Sequence, residues 1–385
     1  INLIKEGRFI MNVVSTDKVN IKEVSIKATE AKKKLASNFF KKGITLALFS
    51  GVTYGLYTAF LTMAMRKGVW EDWTGANTAG LSTFVVIYLV AALGNAINDT
   101  CSAVWAILNS IAKGKFKDFV RCLKSKPGKI MILAALIGGP IAGTAYVVSI
   151  QLAGSIVVPI SALCPAIAAI LGRVLYKQEL NKRMSVGILI CVFASFLIGS
   201  TGFGGETSPT LVLGLLVAVI AALGWGFEGC VAGYGTAMID PEIGICIRQV
   251  TSGIANLFII VPVLGVMAGG VDISIDLAFQ AFTSGPAMIW FVFSGLLTFI
   301  TFMTWYAGNS MCGAGLGTAC NGTYSFFGPL FCFLLLGVFA GMEGWALPAV
   351  AWIGAIIMMV GILTIAMNPL DIFRRKKGSE IDETA

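Results

Sequence analysis

The sequence predicts an all-α integral membrane protein with ten transmembrane helices, built as two inverted five-helix repeats. Three observations predict it: long apolar runs at regular intervals, a one-sided distribution of basic residues, and a motif that recurs after five runs. The chain has 385 residues, of which 57% are hydrophobic and only 12% charged. A soluble domain carries about 25% charged residues to cover its surface. Glycine is abundant at 45 residues, which suits helices that approach one another closely within a bilayer.

A helix needs about 20 apolar residues to cross a membrane. Runs of that kind fall near 43–65, 79–103, 130–152, 155–176, 185–201, 209–234, 242–268, 286–308, 315–339 and 346–367. The second run is expected to continue as helix to about Ser110. The connections are short except 111–129 and 270–285. Lysine and arginine then set the orientation. With the N-terminus inside, 25 of the 28 basic residues lie on the inner side, in segment 1–42, in 111–129, after the fourth run and after the tenth. Only Arg66 and Lys67 lie outside, and Arg248 sits within a run. The positive-inside rule thus places both ends in the cytoplasm of a plasma-membrane protein, which requires an even number of spans.

The two halves, 43–201 and 209–367, are flanked by the basic segment 1–42 and the tail 368–385. No cleavable signal peptide is visible, because residues 11–42 are basic and polar. Lys5-Glu6-Gly7 could be encoded by a bacterial ribosome-binding sequence a few codons before Met11. The expectation is that residues 1–10 are leader, that synthesis starts at Met11 and that the source is a bacterium.

The repeat rests on paired motifs. Gly43-x11-Gly55, with Tyr54 before the second glycine, matches Gly214-x11-Gly226, with Trp225 before it. Ser161-x3-Pro165-x13-Glu179 matches Ser325-x3-Pro329-x13-Glu343. Gly187 and Gly354 open the fifth and tenth runs. A period of five helices is odd, so the second half lies upside down relative to the first. Inverted repeats build two exchangeable conformations around a midplane site. A proline within a helix frees the carbonyl four residues earlier, which belongs to Ser161 in one half and Ser325 in the other. Such freed groups find partners in neighbouring helices or in a cavity, so the two segments are read as cavity lining or, alternatively, as packing kinks.

These motifs resemble the drug/metabolite transporter superfamily, in particular its ten-helix EamA-like members. The residues that carry the resemblance are Tyr54-Gly55, Trp225-Gly226, Pro165 with Glu179, and Pro329 with Glu343, and it covers 43–367. It implies an inverted-repeat carrier with a central cavity that works by alternating access. The segments 111–129 and 270–285 are longer than a minimal member needs.

Ionisable groups inside spans cost about 2.5–3.5 kcal/mol to insert and so mark candidate sites. Asp99, Glu228 and Arg248 are the notable ones, and the run directions put all three at similar height in the cytoplasmic half. Asn95, Asn98 and Asp99 are spaced to share one helix face. Two readings of Glu228 stand: an ion pair with Arg248 that is structural or gating, and a cavity-facing carboxylate that binds a cation or couples to protons. Asp99 is a further candidate for gating or coupling. Candidate substrate contacts are Tyr54, Ser161, Trp225, Glu228, Asn321, Tyr324 and Ser325, with Gln151, Tyr306 and Asn309 as further polar or aromatic groups. The rings of Tyr54, Trp225 and Tyr306 offer faces for a cation or a flat ring. Glu179 and Glu343 are read as structural, closing helices four and nine.

There are nine cysteines, none in a C-x-x-C pair, and no histidine, so neither a zinc site nor another cofactor is expected. No phosphate-binding loop of the G-x-x-x-x-G-K-[ST] kind is present, and no lysine or aspartate pair lies at mid-membrane for hydrolysis. The expected function is secondary active transport of a small organic solute, a metabolite, amino acid or drug-like compound, with protons as candidate coupling ions. The alternatives are an importer of a vitamin, sugar or nucleobase on the same fold, a channel, and a non-transporting receptor or scaffold. The partners are the solute and the bilayer, with no nucleic acid. A monomer suffices, and a homodimer is also allowed.

Overall fold

The computed structural model describes residues 35, 38–75, 78–177, 181–200, 209–236, 238–312 and 314–366. Among these the regular secondary structure is all helix, with no strand. Seven helices are long and apolar enough to cross a membrane: Asn38–Ala64, Val85–Ala112, Lys126–Ser161, Thr210–Val231, Pro241–Ala268, Gly285–Cys312 and Gly317–Phe339. Two shorter apolar helices, Cys164–Leu175 and Ala349–Ile365, accompany them. Large apolar side chains point outward along these elements, among them Phe196, Phe258 and Phe339, at 72%, 69% and 80% exposure. Water-soluble surfaces rarely leave such patches open; a hydrocarbon environment accounts for them, and the protein is a multi-pass membrane protein.

In chain order the elements are α1 (Asn38–Ala64), α2 (Val69–Thr74), α3 (Val85–Ala112), α4 (Phe116–Leu123) and α5 (Lys126–Leu136, extended by 137–153). Then come α6 (Val157–Ser161), α7 (Cys164–Tyr176), α8 (Lys182–Ser200), α9 (Pro209–Thr236) and α10 (Pro241–Ala268). The last are α11 (Val271–Thr283), α12 (Gly285–Cys312), α13 (Ala314–Asn321), α14 (Tyr324–Cys332, extended by 333–339) and α15 (Ala349–Ala366).

Several boundaries differ from the sequence reading. The third and fourth runs form one stretch by length, Lys126–Ser161, but its backbone leaves the helix at Ala153 (φ −138°) and Gly154 (φ 67°, ψ −158°). Glycine alone takes that second conformation cheaply. The fourth and ninth runs are each broken, at Ala162–Leu163 and at Gly322–Thr323. Pro165 therefore sits in the first turn of α7, where its missing N–H costs nothing, rather than at a mid-helix kink. Pro329 lies inside α14, and the backbone beyond it widens into π-helix at Phe333–Phe339. The same widening occurs at Val85–Leu89, at Ile137–Gly143 around Pro140, and at Asn256–Ile260 just before Pro262. In the three stretches beside Pro140, Pro262 and Pro329 a proline removes one rung of the helix ladder and a π-turn absorbs the misfit; Val85–Leu89 has no proline near it.

The two long connections carry helices of their own. Segment 111–129 contains α4, and 270–285 contains α11, which starts after Gly269 at φ 126°. Ser274, Leu277 and Ala281 share the buried face of α11, the spacing of an amphipathic helix.

Glycines set the closest helix contacts, and they come in matched pairs. Gly43 of α1 packs on Met311 and Cys312 of α12, while Gly214 of α9 packs on Leu152 and Ala153 of α5. Gly55 packs on Phe327 and Gly328 of α14, while Gly226 packs on Cys164 and Ile167 of α7. Gly187 of α8 meets Gly361 and Ile365 of α15, while Gly354 of α15 meets Ala194 and Ile198 of α8. An added Cβ at any of these six positions would collide with its neighbour. The buried core between these helices is one large cluster, with a smaller one around Met131, Ile243, Ile247, Phe302 and Trp305.

Candidate functional site

A narrow pocket, with about 300 Å³ of unfilled space when the adjoining open solvent is included, lies where α1, α7, α9, α12, α13 and α14 converge, lined by Tyr54, Cys164, Trp225, Thr301, Phe302, Trp305, Asn321 and Tyr324. Five of these eight side chains are aromatic. Tyr54 and Tyr324 stack with ring centroids 3.9 Å apart at 17°. Trp225 stands edge-on to Tyr54 at 5.8 Å and tilted against Tyr146 at 5.0 Å. Tyr57 continues the cluster at 4.7 Å from Tyr54, and Trp305 packs on Phe302 at 5.8 Å. Stacked and edge-on contacts of this kind hold the rings against one another.

Local packing holds the box in place. The Trp225 indole donates to the Gly138 carbonyl at 2.9 Å. Trp305 donates to Thr318 Oγ1 at 3.2 Å, and Thr301 donates to Thr53 Oγ1 at 2.8 Å. Asn321 donates to Ser50 Oγ at 2.8 Å. Ser161 Oγ lies 3.4 Å from the Tyr324 hydroxyl and also donates to the Val158 carbonyl.

One layer away lies a buried ion pair. Arg248 donates through Nε to Glu228 Oε1 at 2.9 Å and through a terminal nitrogen to Oε2 at 3.4 Å. The pair is closed off from solvent, with side-chain exposures of 2% and 0%. Tyr306 donates to Glu228 Oε1 at 3.3 Å. Arg248 also donates to Gln249 Oε1, which in turn donates to Ser102. The guanidinium lies 3.8 Å from the centroid of Phe302, itself a cavity wall. Two glycines make this possible. A Cβ on Gly138 would overlap the Glu228 carboxylate, and one on Gly139 would overlap the Ser252 hydroxyl. The π-helical stretch of α5 therefore brings bare backbone against both groups.

Asp99 heads a second buried cluster. Its Oδ2 accepts from Ser252, and from Asn256 at 3.0 Å. Asn256 accepts from Thr144 at 3.3 Å, and Asn95 donates to that threonine at 3.4 Å. Asn98 faces another way, accepting from Ser294 at 2.7 Å and Thr298 at 3.3 Å. The face that Asn95, Asn98 and Asp99 were expected to share is thus divided between α10 and α12.

Of the expected substrate contacts, the structure brings Tyr54, Trp225, Asn321 and Tyr324 to the cavity, and places Ser161 directly behind Tyr324. Two are corrected. Glu228 is one helical turn beyond Trp225 and turns to Arg248 rather than to the cavity. Ser325 is buried with its hydroxyl unpartnered and is not among the lining residues. Gln151 accepts from Arg66 at 3.4 Å, away from the cavity. Asn309 is buried beside Gly317 with its carbonyl oxygen unpaired. Glu179 lies outside the described residues, and Glu343 is exposed in a turn. The sequence reading missed Thr301, Phe302 and Trp305, although their i, i+1, i+4 spacing marks one helix face. It also missed Gln249, Ser252 and Asn256, a polar stripe at helical spacing along α10.

A separate cluster joins the end of α3 to the start of α10. Lys113 bonds Glu242 at 2.5 Å, and Lys115 bonds Asp240 at 2.8 Å and Glu242 at 2.9 Å. Asp240 also caps α10, accepting from the Glu242 amide at 2.8 Å. Partial burial alone would raise the Asp240 carboxyl, but the hydrogen bond and charge of Lys115 and the amide bonds at the start of α10 outweigh it and hold it below the ordinary range.

Fold and site together define a multi-pass helical membrane protein with an aromatic cavity above a buried ion pair. No protein-family model matches the chain. A stretch of 103 residues is 28% identical to Protein LicB of Haemophilus influenzae. It spans 26% of this chain and about a third, 35%, of that relative. A solved structure described only as the crystal structure of a protein is 21% identical, covering 86% of this chain and 98% of its own, with a TM-score of 0.49.

Proposed function

We propose that the protein is a secondary carrier of the drug/metabolite transporter type that moves a small organic cation across the cytoplasmic membrane by alternating access. Ten crossings form two inverted halves, 43–201 and 209–367, with both termini cytoplasmic. The break at Gly154 separates a third crossing from a fourth, and α8 and α15 supply the fifth and tenth. The paired glycine contacts support the inverted arrangement: each glycine of the first half packs on the element whose counterpart receives the matching glycine of the second half. Such a symmetry gives two equivalent ways of closing around one site.

The aromatic box carries the reading of the substrate. Tyr54 and Cys164 come from the first half, and Trp225, Phe302, Trp305 and Tyr324 from the second, so the cavity lies where the halves meet. Among the described residues that line the space none is a carboxylate, and five are aromatic. A cation over an aromatic face gains about 0.5–2 kcal/mol per ring, and quaternary ammonium heads, such as that of choline, are recognised in cages of this type. Thr301 and Asn321 offer polar contacts for the rest of the solute.

Uptake into proteoliposomes tests this. Tetramethylammonium and choline are expected to enter saturably and to compete with each other, and Tyr324→Ala is expected to weaken both about tenfold, the loss of one cation–π contact. Saturable uptake of sugars or nucleobases without uptake of cations would overturn the substrate class. Flux that rises linearly without saturation would favour a channel, and no flux or ligand-induced stabilisation with any solute would overturn the carrier.

A further inference from the structure

Three ionisable side chains lie buried within the spans near the cavity: Asp99 at 4% exposure, Glu228 at 0% and Arg248 at 2%. Two are negative and one is positive. Arg248 is committed to Glu228 through two nitrogens and to Gln249 through the third. Asp99 has no cation in contact among the described residues, and its bonds come from the neutral groups of Ser252 and Asn256. As a carboxylate it therefore carries one unit of negative charge that the protein does not cancel locally. Uncancelled charge in a membrane interior is costly, which makes it a feature that a counter-charge elsewhere would explain.

The cavity is close enough to feel it. Ser252, which donates to Asp99, packs against Gly139, next to Gly138, whose carbonyl accepts from the cavity-lining Trp225; Ser294 donates both to Asn98, the chain neighbour of Asp99, and to the carbonyl of Tyr57, whose ring is tilted against Tyr54. On the other side Arg248 lies against Phe302, so an unopposed guanidinium would repel a cation from that wall. Glu228 offsets Arg248, and Asp99 leaves the surplus negative.

We infer that Asp99 is a specificity-determining residue that never touches the solute: its carboxylate, held by Ser252 and Asn256, supplies the counter-charge that makes the neutral-walled aromatic box select cations. This deepens the proposed function and rests on its reading of the substrate as a cation. The rings alone would hold a cation and its uncharged isostere with a modest difference. In general, a unit charge about 10 Å from a cation at an effective dielectric of about 20 is worth roughly a tenfold preference for the cation, and that is the size of effect expected here.

The test compares choline with 3,3-dimethylbutanol, in which a tert-butyl group replaces the trimethylammonium head, by equilibrium binding to purified protein. Wild type is expected to prefer choline strongly. Asp99→Asn is expected to lose roughly tenfold in choline affinity and to leave the alcohol unchanged. The swap Asp99→Asn/Asn256→Asp moves the carboxylate across the same hydrogen-bonded cluster and is expected to restore the preference. A merely structural role would weaken both ligands together and would not be rescued by the swap. Asp99→Asn with unaltered choline preference overturns the inference, as does a folded swap variant without preference, which also serves if the single variant does not fold. Wild type that binds neither ligand, or both equally, overturns the cation reading itself.

Discussion

Glu228→Gln isolates the energetics of the buried pair. The change keeps size and one acceptor but removes the charge, and leaves the Arg248 guanidinium buried opposite a neutral amide. Two hydrogen bonds at 2.9 and 3.4 Å converge on that carboxylate, with a third from Tyr306 at 3.3 Å. Two unit charges at about 4 Å attract by about 4 kcal/mol at an effective dielectric of about 20. Breaking such a pair from one side costs about 3–5 kcal/mol, and the retained amide oxygen puts Gln at the lower end, about 3 kcal/mol. The double change Glu228→Leu/Arg248→Met removes both charges, and its cost is expected to fall at least about 2 kcal/mol short of the sum of the two single changes. Reversible unfolding in mixed detergent micelles measures all four corners of the cycle. If Glu228→Gln costs less than about 1 kcal/mol and the double change is additive, the pair is not the buried, mutually dependent unit described above.

Gly138→Ala puts a Cβ onto the Glu228 carboxylate and is expected to cost about 1–3 kcal/mol as an overpacked core, read in the same unfolding assay; wild-type stability would contradict the close approach of α5. Gly55→Leu and Gly226→Leu are expected to lower the thermal stability of the purified protein by similar amounts, because each glycine meets an equivalent partner helix; a large loss at one and none at the other would argue against the two-fold relation. The Lys115 cluster gives a pH signature. Asp240 titrates below its ordinary 3.8 in the folded protein, so its contribution is fully present above about pH 3.8 and fades as pH falls through the lower folded value. This group is partly exposed, which limits the gain to about 1 kcal/mol or less, and Lys115→Ala is expected to lower stability at pH 7 by that much and by less as the pH is lowered below 3.8.

How far the sequence reaches depends on the kind of signal. Long apolar runs and basic loops are statements about solvent, and they made the membrane class and the helix positions legible to within a few residues. The break at Gly154 was legible too, because the runs end there. The π-helical stretches were not, since a proline announces a disturbed ladder but not whether the chain kinks, breaks or widens. Pro165 opens a new helix, whereas Pro140 sits within a π-turn. Tyr54, Trp225, Asn321 and Tyr324 were legible as unusual groups within spans. Phe302 and Trp305 were hidden among the 25 phenylalanines and eight tryptophans of an apolar chain, where aromatic content alone does not separate a cavity wall from a lipid-facing ring. The Glu228–Arg248 contact followed from matched depth. The commitment of Gly138 and Gly139 to it did not, because among 45 glycines only three-dimensional contact tells which ones face a carboxylate.

Counterflow tests the central claim most directly. Proteoliposomes loaded with unlabelled choline and diluted into a trace of labelled choline, with no other gradient, are expected to accumulate label transiently above equilibrium, because one saturable site is exposed alternately to each side. The overshoot should vanish when the internal choline is replaced by an uncharged sugar. Label that only rises to equilibrium at a rate independent of the internal choline, or no entry at all, would contradict an alternating-access carrier of organic cations.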